Sequence, residues 1–279
     1  MSALRPAHSP VTAPPRPRVD VYWTRVPDCV AQLAGLLSDT ERRRYHSYTD
    51  PLPARQFLVG RALLRLVVAE RVGGTPNDIV VHLNGHRTPE SHGKPTLPGT
   101  GLHMSLSHSG PHIVLAVADV AVGVDVQTVV HDVNLDRIAD LVLTTGERRG
   151  LREMPQHQRH HAFTRIWTRK EAILKATGDG LCHPLTRLEV AAADAANEMV
   201  SWLRLPQLGQ DTHVRDLVRH GDVPASVATV GCSTPLVREQ EWTLAEATTR
   251  NPTRPVAAQG VPDLQAFGKQ QHPPHGEGH

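Results

Sequence analysis

The chain has 279 residues, enough for one large domain or two small ones with a substantial core. Its formal charge of +2 is too balanced to indicate nucleic-acid binding, and no apolar run approaches the length of a membrane span. Three widely spaced cysteines, Cys29, Cys182 and Cys232, give neither a disulfide framework nor a zinc-binding spacing. Because the N-terminus also lacks an apolar signal-peptide region, we expect a cytoplasmic protein that binds neither nucleic acid nor membrane.

The first half of the chain is predicted to form a strand, two short helices, a long helix and then more strands. Residues 1–17 are rich in proline and are predicted to be disordered. A strand is predicted at 19–26 and the long helix at 52–73, where apolar residues recur at helical spacing. Residues 77–84 are a candidate strand, and the segment 85–101 is predicted to be a loop.

The second half repeats this order of helices followed by strands. Three apolar runs, at 102–108, 112–119 and 122–127, come before its helices, and the Ser-Gly-Pro between the first two favours a hairpin. The segment 246–279 is predicted to be a disordered tail. The predicted helices are 134–143, 145–154 and 157–178, the last ended by Gly178, and the predicted strands are 187–192, 201–205, 213–219 and 224–231.

The run VGVDVQ, residues 122–127, alternates between apolar and polar positions. In a strand, Gly123, Asp125 and Gln127 therefore share one face. A carboxylate and an amide carbonyl that project together suit a hard cation such as Mg²⁺, which takes one or two carboxylates together with substrate phosphates. The alternative is an ordinary half-buried strand whose polar face meets water.

The run WTRKEAILKATGDGL, residues 167–181, places Trp167, Glu171 and Lys175 along one stripe of the long helix. Glu171 is a candidate metal ligand or base, and Lys175 is a candidate for holding phosphate charge. The alternative is an exposed Glu-to-Lys pair on the helix surface, worth about 0.2–0.5 kcal/mol. The stretch alone does not decide between the two.

Two further segments carry groups that suit phosphate. MSLSHSG, residues 104–110, ends a strand with Ser107 and His108, which either bind phosphate oxygens or cap a turn. HGKPTLPG, residues 92–99, places Lys94 between glycine and proline, which restrict the backbone beside a long cation. For Lys94 the alternative is a solvated loop lysine.

Taken in chain order, these four segments resemble the 4'-phosphopantetheinyl transferase superfamily, and within it the surfactin-type branch of two-half monomers. The family pattern is G-K-P, then S-H-S, then G-[IV]-D-[IV]-E, then W-x-x-K-E-A-x-x-K-x-x-G-x-G-L. Each piece is weak alone, whereas their order and spacing are specific. The resemblance extends over roughly residues 38–192.

The resemblance implies an α/β (α+β) fold of two similar halves with a pseudo-twofold relation and the active site in the cleft between them. We expect the halves at 18–120 and 121–245. The implied enzyme is a Mg²⁺-dependent holo-[acyl-carrier-protein] synthase, working as a monomer in secondary metabolism. It transfers 4'-phosphopantetheine from coenzyme A to a serine of an acyl or peptidyl carrier protein and releases adenosine 3',5'-bisphosphate.

The resemblance also assigns roles to single residues. Asp125 and Glu171 ligate Mg²⁺ with the coenzyme A pyrophosphate, and Glu171 helps to deprotonate the carrier serine, directly or through water. Lys175 neutralises charge on the pyrophosphate as it breaks. Ser107 and His108 hold a coenzyme A phosphate.

Three positions need separate comment. Lys94 matches the family lysine near the 3'-phosphate of coenzyme A. Gln127 stands where the family usually has a third carboxylate; its amide can coordinate the metal through its carbonyl or through water, with one negative charge fewer. Arg55 is the nearest candidate for the family arginine that contacts the nucleotide, although the alignment puts Gln56 at that place.

Two other classes of function stay open from the residues. A non-catalytic relative would still bind coenzyme A or a carrier protein, and Gln127 is the only feature that favours it. A metal-dependent phosphohydrolase would use the same acidic pair with an activated water and no carrier protein. Two groups of arginines, 42–44 and Arg148, Arg149 and Arg152, are either solvated helix faces or a surface for an acidic partner. Because carrier proteins of this kind are acidic, docking is expected to weaken as salt rises, with Arg148, Arg149 and Arg152 as the candidate docking surface.

Overall fold

The computed structural model describes residues 16–84, 94–178, 184–190, 203–204, 208 and 211–243. The predicted tails lie outside these residues, apart from residues 16 and 17. The described residues form the predicted mixture of helices and sheets. The strands are β1 (Arg18–Arg25), β2 (His82–Asn84), β3 (Lys94–Thr96), β4 (His103–Ser109), β5 (His112–Ala118), β6 (Ala121–Val126), β7 (Leu203–Arg204), β8 (Thr212–Asp216), β9 (Ala225–Val230) and β10 (Leu236–Glu241). The α-helices are α1 (Asp39–Ser47), α2 (Pro51–Val72), α3 (Leu135–Val142), α4 (Thr145–Glu153) and α5 (Gln156–Thr177).

Two four-stranded sheets repeat one arrangement. The first has the order β10-β1-β5-β4 and the second the order β6-β9-β8-β7, while β2 and β3 form a separate hairpin. In the first sheet β1 pairs antiparallel with β5, and β5 pairs antiparallel with β4. In the second sheet β6 pairs antiparallel with β9, and β9 pairs antiparallel with β8. These are the similar halves that the resemblance implies. The boundary at residue 120 stays a prediction, and β10, although inside the range 121–245, pairs parallel with β1 of the first sheet.

The helices begin and end where local chemistry dictates. Both α1 and α4 start with a capping box, in which Ser38 and Glu41, and likewise Thr144 and Glu147, satisfy each other's backbone amides. The long helices α2 and α5 each have 22 residues and end at a glycine in the left-handed conformation. The predicted stop at Gly178, where φ is 83°, is confirmed.

Three apolar clusters hold the layers together. One lies between α2 and the outer face of the first sheet, and a second lies between α5 and the outer face of the second sheet. The third is formed by the inner faces of both sheets and contains fully buried valines such as Val21, Val124 and Val227. The two sheets therefore pack against each other, with one long helix outside each, and the burial of this shared apolar surface joins the halves.

Some predicted elements differ from those observed. Residues 77–84 form a strand only at their end, after a short 3₁₀ turn at Pro76–Asp78, and the predicted loop at 85–101 contains β3. The described part of the predicted strand 187–192 includes no strand, because Leu185–Arg187 form a 3₁₀ turn and residues 188–190 are irregular. The strand β10 was not predicted.

A helix that crosses a membrane needs about 20 predominantly apolar residues. None of the described helices combines the length and the apolar composition needed to cross a bilayer.

Candidate active site

A glycine brings strand β6 and helix α5 into direct backbone contact. A Cβ atom on Gly123 would lie 2.0 Å from the carbonyl oxygen of Ala172, a separation that no side chain can occupy. The helix backbone therefore rests on the strand. Because Asp125 shares the strand face of Gly123 and Glu171 precedes Ala172 on the helix, the two carboxylates converge.

The Asp125 carboxylate is buried and only half satisfied. Its Oδ1 atom accepts hydrogen bonds from Ser107 Oγ at 2.7 Å and from Lys175 Nζ at 2.7 Å. Its Oδ2 atom is buried and has no hydrogen-bond partner among the described residues. An unpartnered buried oxygen normally costs about 1–3 kcal/mol, more if it is charged, so this atom is poised to accept a ligand.

Glu171 is the second carboxylate of the site and is half-buried. Burial raises the pKa of Glu171, and the negative charge of Asp125 raises it further, while the Lys175 ammonium acts in the opposite direction. The described residues give its carboxylate no hydrogen-bond partner. A cation bound between the two carboxylates would relieve both the repulsion and the desolvation.

Lys175 does not form the helix-surface pair with Glu171 that was one alternative for this stretch. Its Nζ atom reaches down to β6, where it binds Asp125 Oδ1 and the carbonyl oxygen of Val124 at 3.2 Å. The side chain is 31% exposed, so the ammonium also faces solvent. A cation in this position can contact an incoming anion while it balances the aspartate.

The neighbouring residues of the SHS motif point in opposite directions, as expected for a strand. His108 is exposed beside Lys175 and Asp125, and partial desolvation of its ring by nearby protein atoms, followed by the charge of Lys175, lowers its pKa. Ser107 is buried, and its hydroxyl binds Asp125. The structure thus brings both residues to the site, with His108 on the open side and Ser107 beneath the carboxylate.

Lys94 lies near the end of α5 and belongs to β3, so it is a strand residue and not a loop residue. Its Nζ atom donates to the carbonyl oxygen of Ala176 at 3.0 Å. Burial lowers the pKa of Lys94. A cation at the last carbonyls of a helix is stabilised by the helix dipole, so Lys94 fastens the β2–β3 hairpin to the C-terminal end of the helix that carries Glu171.

The predicted nucleotide contact, Arg55, lies in the first turns of α2. Arg55 is half-buried, and its Nε atom is buried without a hydrogen-bond partner among the described residues. The next residue, Gln56, donates from Nε2 to the carbonyl oxygen of Gly110 at 2.7 Å. Gln56 is thereby fixed to the β4–β5 turn, and Arg55 keeps an unused donor.

Gln127 follows the last residue of β6, and its backbone amide donates to the carbonyl oxygen of Pro224 at 2.9 Å. This bond carries the strand geometry one residue further, so the side chain continues the alternation of Gly123 and Asp125. The side chain is half-buried. Its proposed place as a third oxygen ligand is compatible with this position.

A buried ion pair at Lys170, the residue before Glu171 on α5, was not predicted from the sequence. Lys170 is fully buried and binds Glu147 at 2.6 Å and the carbonyl oxygens of Val142 and Leu185. Glu147 is the capping-box residue of α4, and its other oxygen accepts from the amide of Val190. The capping-box motif at 144–147 was the available signal, since it predicts a carboxylate at the helix end but not its partner.

The oxygen donors suit a hard cation. The described residues include no cluster of three His, Cys, Asp or Glu side chains able to hold a metal ion. A cation between Asp125 and Glu171 would therefore complete its ligands with amide, water or substrate oxygens. Mg²⁺ has this habit, because it keeps waters and substrate phosphates alongside one or two carboxylates.

Comparison with known proteins gives one consistent result. The family model described as "4'-phosphopantetheinyl transferase superfamily" matches residues 121–228. The chain is 32% identical over 182 residues to 4'-phosphopantetheinyl transferase HetI of Nostoc, covering 62% of this chain and 74% of that protein. It is 28% identical over 177 residues to 4'-phosphopantetheinyl transferase psf-1 of Bacillus pumilus, covering 63% and 72%, and 30% identical over 164 residues to a 4'-phosphopantetheinyl transferase of Bacillus subtilis, covering 58% and 70%.

Proposed function

Because the chain belongs to the 4'-phosphopantetheinyl transferase superfamily, we propose that Asp125, Glu171 and Lys175 form the site of its reaction. The protein is an enzyme of this class, which transfers 4'-phosphopantetheine from coenzyme A to a serine of a carrier protein. The observation that carries the assignment of the site is the unpartnered Oδ2 atom of Asp125 in a buried position beside a second carboxylate. A structural aspartate would have both oxygens satisfied.

The proposed cation is Mg²⁺, held by Asp125 Oδ2, by Glu171 and by the amide oxygen of Gln127 directly or through water. When bound, Mg²⁺ would neutralise charge on the coenzyme A pyrophosphate and orient it. The residues fit this ion because all three donors are oxygens. Gln127 supplies no charge, so the protein contributes two negative charges to the site.

Lys175 and His108 supply the remaining polar groups on the open side of the site. Lys175 already balances Asp125, and its ammonium would stabilise the charge that develops as the bond to adenosine 3',5'-bisphosphate breaks. His108 can donate a hydrogen bond from its ring to a phosphate oxygen. Arg55, through its unused Nε donor, is the proposed contact to the nucleotide part of coenzyme A.

In the proposed reaction, the hydroxyl oxygen of the carrier serine attacks the phosphorus next to pantetheine. A P–O bond forms, and the bond to adenosine 3',5'-bisphosphate breaks. Glu171 accepts the proton from the serine, directly or through water.

The carrier protein is proposed to dock on the basic surface of α4, formed by Arg148, Arg149 and Arg152. Arg149 and Arg152 are exposed, whereas Arg148 is half-buried and bound to Asp140. Helix α4 packs on α5, the helix of Glu171, so a carrier bound there would lie near the site. We further propose that the enzyme acts as a cytoplasmic monomer in secondary metabolism.

The test is intact-mass spectrometry of an apo carrier protein incubated with this enzyme, coenzyme A and Mg²⁺. Wild type, Asp125→Ala and Glu171→Ala would be compared, with EDTA in a parallel sample. We expect a gain of one phosphopantetheine with wild type, and none with either variant or with EDTA. Equal transfer by Asp125→Ala would contradict the assignment of the site.

A further inference from the structure

Three serines on β4 connect the two sheets. Ser105, Ser107 and Ser109 occupy alternate positions and lie on the face of the first sheet that meets the second. The Oγ atoms of Ser105, Ser107 and Ser109 accept hydrogen bonds from the backbone amides of Val124 at 3.0 Å, Val126 at 3.3 Å and Thr128 at 3.0 Å, respectively. We call these residues the serine ladder.

The ladder satisfies amides that would otherwise be buried without a partner. Strand β6 is at the edge of the second sheet, so one row of its backbone groups has no neighbouring strand. The amides of Val124 and Val126 belong to buried residues. Because an unpaired buried amide is costly, the serine oxygens take the place of a strand.

Ser107 differs from the other two serines in what its hydroxyl proton does. It donates to Asp125 Oδ1 at 2.7 Å, whereas Ser109 pairs with Thr128 Oγ1 at 3.0 Å. A hydroxyl that accepts one hydrogen bond becomes a better donor of another. The backbone of Val126 therefore strengthens the hold of Ser107 on the aspartate.

This hold determines how the carboxylate is presented. With Ser107 and Lys175 both on Oδ1, the side chain of Asp125 is fixed and Oδ2 is left without a partner. Ser107 is 6% exposed, so its hydroxyl lies beneath the carboxylate and away from solvent. Its single hydroxyl proton is donated to Asp125, so none is left to donate to a coenzyme A phosphate, whereas the ring of the neighbouring His108 lies on the open side.

We propose that Ser107 is a positioning residue, which orients Asp125 so that Oδ2 faces the cation, and that it does not bind a coenzyme A phosphate. The inference rests on the proposed function of Asp125 as a metal ligand. It replaces the role that the family resemblance implies for Ser107. Residues that orient a metal ligand in this way typically change metal affinity or activity by about 10–100-fold when they are removed.

The serine ladder provides its own control. Ser107→Ala and Ser105→Ala each remove one acceptor of a β6 amide, but only the first removes a contact to Asp125. Mn²⁺ binding without coenzyme A would be measured by electron paramagnetic resonance for wild type, Ser107→Ala, Ser105→Ala and Ser107→Thr, with the thermal unfolding midpoint of each. The Mg²⁺ dependence of transfer and the KM for coenzyme A at saturating Mg²⁺ would be measured alongside.

We expect Ser107→Ala to weaken Mn²⁺ binding about tenfold or more and to raise the Mg²⁺ needed for half-maximal transfer, with an unchanged KM for coenzyme A. Ser105→Ala should lower the unfolding midpoint to a similar extent and leave Mn²⁺ binding unchanged. Ser107→Thr, which keeps the hydroxyl, should bind Mn²⁺ as wild type does. If Ser107→Ala does not fold, Ser107→Cys keeps the size of the side chain with a weaker donor and should lie between wild type and the tenfold loss.

Two outcomes would overturn the inference. A raised KM for coenzyme A with unchanged Mn²⁺ binding in Ser107→Ala would make Ser107 a phosphate ligand. Equal loss of Mn²⁺ binding in Ser105→Ala and Ser107→Ala would reduce its role to joining the sheets. Failure of the proposed function is distinguishable, because it would appear as absent Mn²⁺ binding and absent transfer in wild type itself.

Discussion

The two halves of the molecule each place a buried aspartate on their first strand, and they treat it differently. In the first half, Asp20 on β1 is bound on both oxygens, by Arg18 at Oδ1 and by Arg71 of α2 at Oδ2. In the second half, Asp125 on β6 is bound on Oδ1 alone, by Ser107 and by Lys175 of α5. The two halves thus carry one aspartate with partners on both carboxylate oxygens and one with partners on a single oxygen. The second, Asp125, marks the proposed site.

The parallel continues in the helices. The capping-box glutamates Glu41 and Glu147 each reach a basic residue, Arg65 on α2 and Lys170 on α5, at the same position counted from the start of the helix. In α5 the residue after Lys170 is Glu171, whereas in α2 the residue after Arg65 is an apolar leucine. The repeated contacts therefore support the fold, and the proposed site lies where the second half departs from the first.

The largest expected loss of stability comes from breaking the buried pair of the second half. Lys170→Met leaves Glu147, which is 1% exposed, as an uncompensated charge and should cost about 3–5 kcal/mol of unfolding free energy. Arg65→Met should cost less, because Glu41 is 12% exposed and retains Arg61 nearby at 3.5 Å. Urea unfolding of both variants measures the difference, and equal costs would contradict the claim that the second pair is the more deeply buried.

The next effect concerns the glycine under α5. Gly123→Ala should abolish transfer and lower stability by more than the ~1–3 kcal/mol typical of overpacking, because its Cβ meets backbone. Gly60→Ala in α2 is the matched control, since its Cβ would meet only the movable end of Leu106 at 2.8 Å. Transfer rates and unfolding midpoints would be measured for both. Substantial activity in Gly123→Ala would show that β6 and α5 tolerate separation.

The third comparison uses pH, and the two glutamates should respond with opposite signs in metal-free protein. Burial and Asp125 raise the pKa of Glu171, so wild type loses stability as pH rises from the ordinary glutamate range through the raised pKa. Glu171→Gln should therefore gain stability relative to wild type over that window and show no relative change below it. The measurement is the unfolding midpoint of both proteins against pH with EDTA present.

Burial alone would raise the pKa of Glu41, but hydrogen bonds from Ser38 and Arg65 outweigh it and lower the pKa. Its contribution to stability is present above the ordinary glutamate range and is lost as pH falls through the lowered pKa. Glu41→Gln should therefore be less stable than wild type at neutral pH, and the gap should close in acid. Parallel pH profiles for the Glu41 and Glu171 variants would contradict the distinction between the halves.

The smallest expected effect concerns carrier docking. Arg149 and Arg43 occupy the same place after the capping boxes of α4 and α1, and both are exposed. Arg149→Glu should raise the KM for an acidic carrier protein by about fivefold or less and weaken its dependence on salt, because a rim charge contributes modestly. Arg43→Glu should change neither. Equal effects of both substitutions would indicate that the carrier responds to the overall electrostatic potential of the protein and not to a docking site on α4.

Much of the geometry of the proposed site could be predicted from the sequence, because its signals are local. The alternation of VGVDVQ and the helical spacing of Glu171 and Lys175 set which side chains share a face. The partner of each charge could not be predicted, because it depends on how distant elements pack. Lys175 pairs with Asp125 and not with Glu171, because Gly123 allows the backbone of α5 to pack directly on β6. The Lys175–Asp125 pair joins residues 50 positions apart in sequence.

In the fold, too, elements with local signals could be predicted and pairings between distant elements could not. Strands β4 to β6 and helix α5 were predicted from strong periodicity and turn residues. Strand β10 was missed, because LVREQE is largely polar and its parallel pairing with β1 joins opposite ends of the described chain. Which of Ser107 and His108 faces Asp125 was equally out of reach, because it is set by the placement of β4 against β6.

The most direct test compares the two aspartates by intact-mass measurement of carrier modification, with the unfolding midpoint of each variant recorded. Asp125→Asn should stay folded with a midpoint near that of wild type, because the amide oxygen can still accept from Ser107 and Lys175. It should lose about 10²–10³-fold or more in transfer rate, because a negative charge is removed from the proposed site. Asp20→Asn should unfold at a lower temperature and, while folded, transfer at a rate near wild type. Near wild-type transfer by Asp125→Asn, or loss of transfer by a stably folded Asp20→Asn, would contradict the assignment of the reaction to Asp125.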